Sequence, residues 1–138
     1  MTTDEQVHET LTERFLTAWN DRTPVAIADE PLDPPHGRWV RFSILSAPSQ
    51  QESLGSPGNR RFARAGRVFM QVHQLAGQGG DGPLVALAGA ARDVFEGCRF
   101  QPNDIRFAAV DIGEAVNMDG GRWRGIAVQG RYEYEDLK

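Results

Sequence analysis

The sequence predicts an α+β fold: a single domain in which a mainly antiparallel mixed sheet is packed by two principal helices, with a long polar arm between two strands. Three observations predict it. Segments from Asp4 to Asn20 and from Pro83 to Gly97 carry apolar residues at helical spacing, while five others read as strands. Two of those, Arg38 to Ser46 and Phe62 to Gln74, flank the polar stretch Ala47 to Arg61, in which Leu54 is the only large aliphatic residue. Such a stretch cannot pack a core, and a loop much longer than ~12 residues in a compact domain is usually functional or disordered. We read it as a reaching arm.

With 138 residues, 40% of them hydrophobic and 25% charged, the chain fits one globular domain, 1–138, with its arm at about 47–61. No apolar run approaches the ~20 residues that cross a bilayer, so no membrane partner is expected. The acidic start Met1-Thr2-Thr3-Asp4-Glu5 lacks the basic and apolar segments of a secretory signal, which predicts a chain that begins in a cytoplasm. Cys98 is the only cysteine; it rules out an internal disulfide and a thiolate metal cluster and is expected to be a small buried residue. A net charge of −4 gives no support to a nucleic-acid binder. Its distribution is uneven. Residues 1–33 hold eight acids against Arg14 and Arg22, whereas residues 38–67 hold Arg38, Arg41, Arg60, Arg61, Arg64 and Arg67 against Glu52 alone. These regions either neighbour each other within one subunit or pair between subunits.

The first helix is expected from about Asp4 to Asn20. Thr3 with Gln6 forms a capping box, Asp4 and Glu5 suit the positive end of the helix dipole, and Val7, Leu11, Phe15 and either Ala18 or Trp19 make one apolar face. His8 borders that face without a partner at helical spacing. Pro24 ends the helix and Val25 to Ala28 reads as a short strand, followed by a stiff connection through Pro31, Pro34 and Pro35, beside which His36 is expected to be exposed. Val40, Phe42 and Ile44 then alternate with Arg41 and Ser43, so one face of that strand is core. After the arm, Phe62 to Gln74 is a long strand whose Val68, Met70 and Val72 face the core, and Gly66 predicts a bulge or bend.

Gly77, Gly79, Gly80 and Gly82 surround Asp81 ahead of the second helix. The loop lacks the lysine and Ser/Thr of a P-loop and the spacing of a dinucleotide fingerprint, so it is read as a connector. Pro83 suits the first turn of the helix that follows, Leu84, Leu87, Ala88, Ala91, Val94 and Phe95 supply its apolar positions, and Gly97 stops it. Ile105 to Ile112 and Arg122 to Tyr134 form a terminal hairpin around Asp119-Gly120-Gly121.

These elements and several short patterns resemble the tail terminator, or tail completion, family of long-tailed bacteriophages. The patterns are the opening helix with Arg14 and Trp19, Pro24-Val25-Ala26, Trp39-Val40-Arg41-Phe42, Leu54-Gly55 in the arm, Arg64-Ala65-Gly66 before Val68, Gly77-Gln78-Gly79 before the second helix, and Trp123 with the last strand. The resemblance implies a structural minor tail protein that closes a six-membered ring on the tail tube, ends tail polymerisation and offers the surface for head–tail joining. It implies as partners further copies of the chain, the tail tube protein and a head–tail connector, with genomic DNA passing through the ring without sequence-specific binding. The implied location is the head-proximal end of the tail in the virion, after assembly in the host cytoplasm.

A ring with heterologous contacts needs two different complementary patches on each subunit. The candidates for the oligomer interface are Arg41, Arg60, Arg61, Arg64 and Arg67 from the basic middle third, with Leu54 as the apolar anchor of the arm. A tail-tube or head–tail adaptor subunit is the neighbouring alternative. The alternatives from other classes are a small-ligand-binding domain built on the glycine turn and an enzyme using His73, Asp104 and Asp111. The spacing of those three defines no reaction, and a surface or hydrogen-bonding role is expected for each. The expectation is a non-enzymatic protein without catalytic, cofactor-binding or metal-ligating residues.

Overall fold

A computed structural model describes residues 4–29, 37–46, 50–51, 61–77, 79–101 and 104–137. It contains helix α1 (Asp4–Trp19), β1 (Val25–Ile27), β2 (Trp39–Ser46), β3 (Gln50–Gln51), β4 (Arg61–Leu75), helix α2 (Gly82–Phe95), β5 (Arg99–Phe100), β6 (Ile105–Ile112), β7 (Val116–Met118) and β8 (Trp123–Leu137). The strands form one mixed sheet in the order β1-β2-β4-β8-β6-β5, with β3 added to β4 and β7 added to β8. Only the β1–β2 pairing is parallel among them.

Both helices lie on one face of this sheet. Each fourth residue of α1 from Val7 to Trp19 is buried, and α2 buries Leu84, Ala88, Ala91, Val94 and Phe95. They meet Val40 and Phe42 of β2, Val68, Met70 and Val72 of β4, and Ile126 and Val128 of β8, which alternate inward along their strands. Phe15 sits at the centre, its ring 4.7 Å from that of Phe42 and 5.2 Å from that of Trp19. Burying one such side chain contributes about 1.5–3 kcal/mol. The fold class is therefore the expected one: α+β, a single domain with a mainly antiparallel mixed sheet and two principal helices.

The spine is the pair β4 and β8, 15 residues each and in register from Arg61↔Leu137 to Leu75↔Trp123. At ~3.3 Å per residue this ribbon is about 50 Å long. It corrects the expected bulge at Gly66, because the register runs through that residue unbroken. A Cβ there would fall 2.3 Å from the Tyr132 hydroxyl and 2.6 Å from the Leu45 carbonyl oxygen, so the glycine makes room for Tyr132 to lie across the strand. The bulge lies instead in β6, between Phe107 and Val110.

Part of the segment read as an arm is sheet, since Gln50 and Gln51 pair with Ala63 and Phe62. Arg61 opens β4, and residues 47–49 and 52–60, including Leu54 and Arg60, lie outside the described residues, as do Thr3, Pro31, Pro34, Pro35 and His36. Cys98, expected to be buried, is half-buried with its thiol directed at the carbonyl oxygens of Val94 and Glu96.

Candidate assembly surface

Because α1 and α2 share one face of the sheet, the residues of opposite parity form a second face that no described helix covers. The register sets its rows: Arg41 beside Gln71 and Ala127, Ser43 beside Phe69 and Gln129, and Leu45 beside Arg67 and Arg131. All nine are half-buried or exposed, and Leu45 is 54% exposed. The edges of the sheet are blunted. β1 and β5 are three and two residues long, and the carboxylate of Glu96 accepts the outward N–H of Val110 at 3.1 Å. Short edges and a capped donor discourage strand addition.

At one end of the open face the next row brings Trp39 opposite His73. Their rings stack at 4.2 Å, and Trp123 meets Trp39 edge-on at 5.9 Å. His73 is 6% exposed and neither of its nitrogens has a hydrogen-bond partner; the indole nitrogen of Trp39 is buried in the same state. Burial, assisted by the Arg41 charge, pushes the His73 pKa down to about 4, so the imidazole is neutral at pH 7. This corrects the surface or hydrogen-bonding role expected of His73.

The glycine turn is clamped from both sides. Arg38 donates to the Gln74 side-chain oxygen at 3.1 Å, and the Gln74 amide donates to the Gly80 carbonyl at 2.6 Å. Asp81 accepts two bonds from Arg124, at 2.5 and 2.9 Å, and Arg124 reaches on to Asn117 at 3.1 Å. The guanidinium holds the Asp81 carboxyl below the usual carboxylate range. Its oxygens are thus committed to Arg124 and make no side-chain cap to α2. Such a clamped turn fits the connector role.

At the other end of the ribbon, Tyr134 donates to the carboxylate of Asp4 and stacks on Tyr132 at 6.3 Å. Desolvation first, then Asp4, pushes the Tyr134 hydroxyl well above its ordinary pKa, and Tyr132 is raised to about 12 by burial with help from Asp4.

The interface candidates do not share one surface. Arg41 and Arg67 stand on the open face, two rows apart. Arg41 donates to the Ala28 carbonyl at 2.6 Å and lies over Trp39, whereas Arg67 is exposed. Arg64 points to the helix side, over the Phe62 ring and opposite Tyr134. Arg61 is placed by its backbone alone, at the start of β4. Acidic and basic regions therefore do meet within one subunit, at the Ala28 carbonyl and around Tyr134.

The residues of the enzyme alternative are dispersed. Asp104 sits between Arg99 and Arg106 at 3.6 and 3.5 Å, Asp111 is exposed opposite Gln129, and His73 lies under Trp39. Among the described residues no three His, Cys, Asp or Glu side chains gather to hold a metal, and no helix is long and apolar enough to cross a membrane.

No family model matches the chain, and no curated protein matches it. Solved structures do. One, with no functional name, superposes with a TM-score of 0.72 at 16% identity, over 100% of this chain and 99% of the other. A chain of the virion of a native gene transfer agent particle superposes with a TM-score of 0.54 at 15% identity, over 93% of both chains. At these identities the likeness is one of fold.

Proposed function

We propose that the protein is a structural, non-catalytic virion component that closes a homohexameric ring on the end of a phage-type tail tube, stops its polymerisation and presents the surface for head–tail joining. The observation that carries this reading is the likeness of nearly the whole chain to a chain of the gene transfer agent virion. The tail-terminator pattern of the sequence gives the finer role. The ring meets the tube on one side and a head–tail connector on the other at the head-proximal end of the virion, and DNA passes through it unread.

The physical features that support the reading are an uncovered sheet face, edges unsuited to strand addition and isolated apolar side chains at the surface. Arg41 and Arg67 on the open face, with Arg64 at the far end of the ribbon and the arm residues Leu54, Arg60 and Arg61, are the proposed interface residues. A tube or adaptor subunit shares the virion likeness. Electron microscopy of the purified protein separates these readings: closed six-membered rings of one layer are expected, and stacked tubes of open length would replace the terminator with a tube subunit.

A further inference from the structure

Beside the helix layer, the turn between α1 and β1, Arg38 just ahead of β2 and one side of α2 line a cleft of about 640 Å³. Its polar side carries Arg22 and Arg38, and its apolar side Pro83, Ala86, Leu87 and Ala90. Both cations are held in place from below. Arg38 is bonded to Gln74, and the Arg22 guanidinium rests 5.1 Å from the Trp19 ring centre. Neither meets a carboxylate among the described residues. The cleft thus presents two fixed positive charges above an apolar floor whose alanines leave room for a side chain from outside.

The outward ridge of α1 has the matching chemistry. Glu9, Glu13 and Leu16 lie on the face opposite the buried stripe, because spacings of four and three residues align on a helix. Glu9 and Glu13 are exposed and join no ion pair among the described residues, and Leu16 is 43% exposed although the helix buries its other large aliphatic and aromatic residues. Two distinct and complementary surfaces on one chain are what a head-to-tail contact requires.

We infer that the acidic ridge Glu9–Glu13–Leu16 of one copy docks into the Arg22/Arg38 cleft of the next, with Leu16 on the Ala86–Ala90 floor and the two glutamates facing the two arginines. The inference rests on the ring reading and names the contact that closes the ring. Electrostatic complementarity selects the partner and fixes the register, while the leucine supplies the buried apolar area.

The test is a charge swap on the full chain. Arg22→Glu with Arg38→Glu makes one variant, and Glu9→Arg with Glu13→Arg the other. All four residues are at the surface or the cleft rim, and circular dichroism is expected to match the wild type. Each variant alone should associate roughly a hundredfold more weakly in sedimentation, because like charges then face each other across the contact. An equimolar mixture should recover closed rings, since in an alternating ring each reversed cleft meets a reversed ridge and each native cleft a native ridge, so every contact pairs opposite signs. A second measurement does not depend on ring stability. In a Cys98→Ser background, chains carrying Leu16→Cys and chains carrying Ala86→Cys should cross-link with each other faster than either does alone. Rings that form normally in both reversed variants, or cross-linking without preference for the mixture, would overturn this docking while leaving the ring standing. A wild-type chain that does not self-associate, together with cysteine variants that do not cross-link in the mixture, would overturn both.

Discussion

Replacing His73 with Phe tests the energetics of the aromatic corner through pH. His73 has a pKa of about 4 in the folded chain against 6.5 for an ordinary histidine, the difference arising from burial and the Arg41 charge. Between these values the unfolded chain binds the proton and the folded chain does not, so stability falls as pH falls. The full contribution is present above pH 6.5, and its loss is complete below about pH 4. At 1.36 kcal/mol per pK unit the ceiling is roughly 3 kcal/mol, and partial solvent screening brings the expectation to about 2 kcal/mol. His73→Phe preserves a ring against Trp39 and removes the titration. Urea unfolding of both proteins across pH 7.5 to 4 should therefore show the variant gaining about 2 kcal/mol on the wild type as pH drops. Other titrating groups cancel in the difference. Parallel stability curves would mean that His73 is solvated or hydrogen-bonded in the folded state, and the description of the corner would be wrong.

Three further outcomes follow from packing and assembly. Phe15→Ala, which opens the stack between Trp19 and Phe42, should cost about 3–5 kcal/mol in chemical denaturation; a loss below 1 kcal/mol would show that this ring is not at the core centre. Gly66→Ala should cost about 1–3 kcal/mol through overpacking against Tyr132 and the Leu45 carbonyl, and Tyr132→Phe in the same chain should recover part of it by removing the nearest atom; full additivity of the two losses would refute the contact. Replacing 52–59 with a short Gly-Ser turn should leave the thermal midpoint of the subunit within a few degrees while weakening attachment to tails, and normal tail completion by the shortened chain would remove the arm from the mechanism.

The elements readable from the sequence were those with a strong period. α1 and α2 announce themselves by apolar residues every three or four positions, and their predicted ends fall within about two residues of the observed ones. β2, β4, β6 and β8 were readable from alternation, while β3, β5 and β7 are too short to carry a period and depend on their partners. Gly66 shows a different limit. A glycine in a strand signals either a bulge or a close approach, and only the register that puts Tyr132 opposite decides between them. The same holds for the surface. Arg41, Arg64 and Arg67 look like one basic patch along the chain, yet strand parity sends Arg64 to the other side of the sheet. The contacts Asp81–Arg124 and Asp4–Tyr134 join residues 43 and 130 positions apart, and no local pattern predicts either.

The central claim is that this chain ends a tail rather than building its length. Electron cryo-microscopy of assembled particles carrying a tagged copy of the protein tests it most directly, by counting copies per tail and locating the tag. The account predicts one closed ring of six copies at the head-proximal end, with tails of uncontrolled length when the chain is withheld. Copies spaced along the whole tube, or tails of normal length without it, would contradict the account.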